Sequence, residues 1–364
     1  MNKDQINIFF TLGAALIFIF LMNALYFLLP YEHLNPYEYF QGSELNHFQI
    51  FNLFSGGVGV PLAAMILGSL ISSLDAYGTK SAVLTMASVM IIGVVQSILV
   101  FGYDTLPVIA LVTIIGCLFL KVNRWVVLAS FAVLMLIHIM VNGFFELLIN
   151  SSLDDQIYTN IQEVNEFSSV FRSSDYLAMV GINLEVMRDS LWPGIYNNVI
   201  SILPYTLLGI TMYRFSVLKY IQKNIGMMTF LALVVLGGGI TIKLLQVVSL
   251  GSSSIFTVGE VIGGGLLAAG IYLVLLMAGL FLPEKLVKIL SDTGRHALTA
   301  YVLFNIVMMF LSYGIGFSLY GELSIAAVTG AAFVIYLAVV VIMNLIQRFN
   351  IKSLEDIVVI NRIK

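Results

Sequence analysis

Residues 8–29, IFFTLGAALIFIFLMNALYFLL, run without a charged side chain, and residues 30–47, PYEHLNPYEYFQGSELNH, follow them with Glu32, Glu38 and Glu44 but no Lys or Arg. As a helix the first stretch is about 33 Å long, enough to cross a hydrocarbon core of about 30 Å. The acidic connection behind it has the composition of a translocated loop, because basic residues are retained on the cytoplasmic side. With Lys3 in front, the chain therefore starts inside and crosses outward. The stretch reads as a retained first span, since no small-residue cleavage site follows it.

The same alternation continues along the chain. Ten apolar stretches, at 8–29, 48–71, 82–101, 106–120, 125–148, 194–213, 227–248, 258–282, 298–317 and 324–345, are separated by polar connections that are basic at every second one. Of the 17 Lys and Arg residues, only Arg172 and Arg188 fall in outer connections and only Lys243 falls inside a span. The expected fold is an all-α, polytopic transmembrane helix bundle of about ten spans with both ends in the cytoplasm. Composition agrees: 60% of residues are hydrophobic, 10% are charged and the mean hydropathy is +1.00, which excludes a soluble domain. A net charge of −3 with no basic run excludes a nucleic-acid partner. Cys117 is the single cysteine and lies in an apolar stretch, so it reads as packing, with no disulfide, metal cluster or redox pair.

One connection divides the chain. Residues 1–149 hold five spans, 150–193 form a long polar outer loop, 194–347 hold five more, and 348–364 are a cytoplasmic tail. The two five-helix halves start from opposite faces, which permits an inverted repeat, although no self-similarity is visible. Within the loop, Leu184, Met187 and Leu191 recur at helical spacing opposite Glu185, Arg188 and Asp189, with Trp192 and Pro193 closing the segment. Two readings fit: an interfacial helix on the outer leaflet, or one packed on the outer ends of the bundle.

Polar and helix-breaking residues inside spans are the functional signals. Ser55, Gly56, Gly57, Gly59 and Pro61 predict a break or bend in the second span, or a close helix crossing. Glycines at 237–239 and 263–265 predict that the seventh and eighth spans approach closely. Lys243 and Glu260 fall at similar depth on that hairpin and read as an ion pair, or as two groups snorkelling to the outer interface. His138, Asn142 and Glu146 are spaced by four and share one helix face. His138 as general base, with Glu146 orienting it, is the catalytic reading; a polar network setting helix register is the structural one. Asn23 and Asn305 read as interhelical hydrogen-bonding groups. His33 and His47, at the first outer loop, face the side of an extracytoplasmic acceptor or are simply solvated. Zinc-protease, esterase and nucleotide-binding motifs are absent.

Gly294-Arg295-His296-Ala297-Leu298-Thr299-Ala300-Tyr301 resembles the GRxALTxY signature of the YeiB-like membrane proteins. That family is of unassigned function and is grouped with transmembrane acyltransferases, whose better understood members pass an acetyl group from cytoplasmic acetyl-CoA to an amino sugar. Residues 13–23 resemble its first-span RGxALLGIxxxN, with Leu12 in place of the arginine, and Phe54-Ser55 through Gly59 resemble its FSxLFG turn. Ser353-Leu354-Glu355 is what stands for its GPLE element. The resemblance implies a multi-pass protein of the bacterial cytoplasmic membrane without a covalent cofactor, transferring an acyl group from acyl-CoA to a cell-envelope glycan or lipid. Arg295 would grip a donor phosphate, or merely anchor the inner face; Asn23, Thr299 and Tyr301 would bind ligand, and His138 or His47 would deprotonate the acceptor. A small-molecule or lipid transporter, and a non-catalytic subunit of a membrane assembly or homo-oligomer, are the competing readings.

Overall fold

Inside a bilayer a helix satisfies its own backbone, so long apolar runs have little other choice. The computed structural model describes residues 3–75, 78–145, 148, 159–191, 194–248 and 252–357, and the elements among these residues are helices. In chain order the principal ones are α1 (Lys3–Leu28), α2 (Ser43–Ser55), α3 (Gly59–Leu74), α4 (Thr79–Leu99), α5 (Leu106–Cys117), α6 (Arg124–Ile139) and α7 (Ile161–Phe171). They continue with α8 (Tyr176–Leu191), α9 (Ile195–Arg214), α10 (Ile225–Val248), α11 (Gly264–Phe281), α12 (Glu284–Arg295), α13 (Ala297–Ser312) and α14 (Ile325–Phe349). Among the described residues, eight helices are long and apolar enough to cross a membrane, counting α2 with α3.

Among the described residues each of the ten expected stretches contains a helix, but the second is broken near Gly57 and two others are not full straight spans. The 106–120 stretch is a shorter apolar helix, Leu106–Lys121, because the polar loop before it folds into the protein: Phe101 is 1% and Asp104 5% exposed. The 298–317 stretch ends its helix at Ser312 and is joined at a 75° bend to α12, making a ninth candidate span only if that bent pair counts as one. Helix α12 itself lies where the sequence suggested a plain cytoplasmic connection. Its buried Ser291, Asp292, Thr293 and Gly294 are small or polar, so hydropathy alone did not mark this packed face.

Helix α1 is the hub. It packs against α3, α11, α12, α13 and α14, and 61% of its apolar window is buried, against 17% for α6 and α10 at the periphery. Its closest approach is to α12, where Gly13 and Gly294 face each other and a methyl on Gly294 would overlap the carbonyl of Phe9. Gly239 and Gly263 bring α10 against the start of α11, the approach expected from the two glycine clusters.

Helices α7 and α8, from the long loop, are packed on the end of the bundle. Asn183 accepts from the Gly102 amide at 3.0 Å and donates to the carbonyl of Ile98 at 3.3 Å. Arg172 donates from Nε to the Tyr320 carbonyl at 2.7 Å and pairs with Glu322 at 2.8 Å. The buried face of α8 is Met179, Asn183 and Val186, whereas Leu184, read from the sequence as part of the apolar face, is exposed. A polar residue that can be buried because both ends of its amide are bonded inverts the pattern that apolar periodicity predicts.

Candidate functional site

Both readings of the glycine-rich second span hold: its backbone is broken, and Gly57 lies close against Gly264 at the start of α11. Gly57 takes φ +65° between α2 and α3, a conformation that favours glycine, and the backbone of Glu260 occupies the space a side chain would need. The freed carbonyl of Gly56 accepts a hydrogen bond from Lys243 Nζ at 2.8 Å, and Lys243 is completely buried. An ammonium withdrawn from water must be paired or solvated by dipoles. Lys243, through Gly56, and Glu260, packed against Gly56 and Gly57, thus both reach the broken backbone of the second span.

Beside this break lies a chamber of about 510 Å³. Asn23 and Tyr26 of α1, the loop residues Tyr103, Asp104 and Thr105, His138 of α6, Ser201 and Tyr205 of α9, and Glu260 supply polar groups to its wall. Asp104 accepts three hydrogen bonds. Its Oδ1 accepts from the Tyr301 hydroxyl at 2.6 Å and from the Leu106 amide at 2.8 Å, and its Oδ2 accepts from Gln96 Nε2 at 2.9 Å. Asn23 Nδ2 donates to the same Tyr301 oxygen and to Asn305 Oδ1, both at 3.1 Å. Residues nearly 300 positions apart thus close one network, as the interhelical reading of Asn23 and Asn305 anticipated.

His138 is 2% exposed and meets the chamber differently. Its Nδ1 lies 3.2 Å from Asn142 Nδ2, which also reaches Ser201 Oγ at 3.2 Å, while Nε2 has no hydrogen-bond partner among the described residues. Amide oxygen and nitrogen are interchangeable in such a geometry, and a hydroxyl serves either. The imidazole of this lining residue thus keeps one nitrogen, the buried Nε2, uncommitted as donor or base. Glu146, the partner proposed from spacing, lies outside the described residues.

Toward the end that carries Lys3, Lys121, Arg214 and Arg295 lies a second, apolar chamber of about 120 Å³. Leu12, Leu16, Leu67, Met86 and Val89 form much of its wall, Arg295 and Glu355 stand at one end, and Thr105 and Tyr301 at the other. Ile19, Thr105 and Ile109 line both chambers. Leu12, where the resembled family carries arginine, thus makes this wall apolar rather than cationic.

The two signature elements meet at the basic end. Helix α13 receives no cap from its preceding residue, His296; instead Glu355 Oε1 accepts from the Thr299 amide at 3.0 Å and Oε2 from the Thr299 hydroxyl. The same hydroxyl accepts from the Leu354 amide at 3.0 Å, and His296 Nδ1 lies 3.1 Å from Ser353 Oγ. Burial pushes the Glu355 carboxyl up, but His296 and the Thr299 donors outweigh it and hold the group below its ordinary 4.5. With a depressed folded value, this latch is fully present at neutral pH and is lost as pH falls through that lowered value. Glu355→Ala is expected to release the tail at a cost of about 1–3 kcal/mol, read as faster tryptic cleavage after Lys352 and faster exchange of the Thr299 amide. Unchanged cleavage and exchange would count against the latch.

The sequence candidates are thereby distributed over three places. Asn23, His138 and Glu260 line the polar chamber, Tyr301 and Arg295 line the apolar one, and Thr299 is engaged by the tail. His47 stands apart, exposed and 3.8 Å from Glu44. Asp104 was missed because an acid in a short outer connection looks solvated, and its depth depends on how the loop folds. Residues 212–350 match the family model of a protein of unknown function, DUF418. The DUF418 match takes in Lys243, Glu260, Arg295 and Tyr301, whereas Asn23, Asp104, His138 and Glu355 lie outside it. No curated protein and no solved structure matches the chain. With its apolar helices, the chain is a multi-pass integral membrane protein.

Proposed function

We propose that the protein passes an acyl group from a donor at its basic end, the cytoplasmic face of a bacterial membrane, to a hydroxyl or amine acceptor held in the polar chamber. The observation that carries this reading is the pair of chambers set back to back, sharing Ile19, Thr105 and Ile109 as a thin wall. Arg295 stands at the far end of the apolar chamber, where a guanidinium suits the phosphate of an acyl-CoA. In the polar chamber the Nε2 of His138 takes the acceptor's proton as the acceptor atom bonds to the thioester carbonyl carbon; the C–S bond then breaks with its electron pair on sulfur.

Purified protein in vesicles, given labelled acetyl-CoA on the basic side and a hydroxylated or amine acceptor on the other, is expected to label the acceptor. His138→Gln should keep donor binding and slow transfer about 10²-fold or more, as for loss of a general base. Arg295→Ala should weaken donor binding about tenfold or more. Wild-type protein that neither binds acyl-CoA nor labels any acceptor would remove this reading.

The break at Gly57, fixed by a buried ammonium, favours a second reading, a transporter for a small polar molecule. Its sign would be solute flux into vesicles without any donor, abolished by Lys243→Met.

A further inference from the structure

The transfer reading leaves a proton in the polar chamber and a thiolate in the apolar one, and apolar Ile19 and Ile109 stand in the wall between them. Two hydrogen-bonded pairs reach across that wall, Asn23 with Tyr301 and Asp104 with Tyr301, and of these the second joins two titratable groups. Asp104 lines the polar chamber, Tyr301 lines the apolar chamber, and the phenol donates to the carboxyl at 2.6 Å. We propose that Asp104 and Tyr301 form a proton link between the two chambers, a role that rests on the transfer reading only for the direction of net flow.

The surrounding bonds suit the task. Gln96 and the Leu106 amide hold the carboxyl in place, while Asn23 donates to the phenol oxygen and leaves its proton free to move. In turnover the acceptor's proton reaches Asp104 by way of His138. The carboxyl then gives its proton to the Tyr301 oxygen as Tyr301 gives its own to the thiolate, which becomes a thiol. One proton enters at Asp104, one leaves at Tyr301, and no electrons change hands. The other titratable groups lining the chamber with Asp104 are Tyr26 on α1, Tyr103 on its own loop, His138 on α6, Tyr205 on α9 and Glu260.

The test needs no donor or acceptor. Full-length protein is reconstituted in one orientation in vesicles whose inner and outer pH are set independently. Dicyclohexylcarbodiimide, which attacks protonated buried carboxyls, is added, and labelling of Asp104 is resolved from that of Glu260 by mass spectrometry. In the wild type the labelling rate is expected to change at least threefold when the pH is changed on either side. Tyr301→Phe should retain only the response to the polar-chamber side. Asn305→Ala, which removes the neighbouring amide and spares the phenol, should keep both responses and guards against a general packing effect. A one-sided response in the wild type, or a two-sided response in Tyr301→Phe, overturns the link. If vesicles show the two-sided response but never transfer an acyl group, the transfer reading fails and the link stands; transfer with one-sided labelling gives the reverse.

Discussion

Gly294→Ala is expected to destabilise the folded protein by about 3 kcal/mol or more, at the upper end of what overpacking costs. The added methyl would meet the carbonyl of Phe9 and the backbone nitrogen of Gly13, and backbone cannot rotate away as a side chain can. Relief would require α12 to move off α1, opening the basic end where Arg295 and Glu355 stand. The reciprocal change, Gly13→Ala, would press on the carbonyl of Leu290 in the same crossing. Because both changes open one contact, the double variant should cost less than the sum of the two. Thermal unfolding in detergent measures this: a large drop in the midpoint is expected for each single variant. An unchanged midpoint for both would mean that the crossing is looser than described.

Asp104→Ala should have an effect of similar size for a different reason. It strands three donors at once, the Tyr301 hydroxyl, Gln96 Nε2 and the Leu106 amide, in a region where Asp104 is 5% exposed. Each buried donor left without an acceptor costs about 1–3 kcal/mol, and water admitted by the adjoining chamber recovers part of this, so a loss of about 3 kcal/mol is expected. Asp104→Asn is the informative partner. Its oxygen can keep the bonds from Leu106 and Tyr301, and its amide can meet Gln96 Oε1, which has no partner among the described residues, once the Gln96 amide turns over. The Asn variant should therefore stay near wild-type stability while losing the titratable group. Equal destabilisation by Ala and Asn would show that charge, and not hydrogen-bond geometry, holds this corner.

How much of this was legible varies residue by residue. The break near Gly57, the approach of Gly239 to Gly263, and the bonding of Asn23 with Asn305 and of His138 with Asn142 were all readable. Each follows from a residue type that is costly in an apolar helix unless something compensates. Asp104 and Glu355 were not readable as site residues. Both sit in polar connections where an acid is ordinary, and only the folding of those connections into the protein makes them buried partners of Tyr301 and Thr299. Helix α12 escaped because the face it buries is made of Ser, Asp, Thr and Gly, which hydropathy scores as exposed.

The linear chain was enough to set a multi-pass helical architecture and the sidedness expected of it. Entry into a bilayer depends on the transfer free energy of each segment and on the charges flanking it, both properties of local sequence. Which helix became the hub, how far the 100–105 loop sinks, and that two chambers share one wall came only with the fold. Those features arise from contacts between residues hundreds of positions apart, such as Gly13 with Gly294 and Asp104 with Tyr301, whose free energies exist only once the helices have packed.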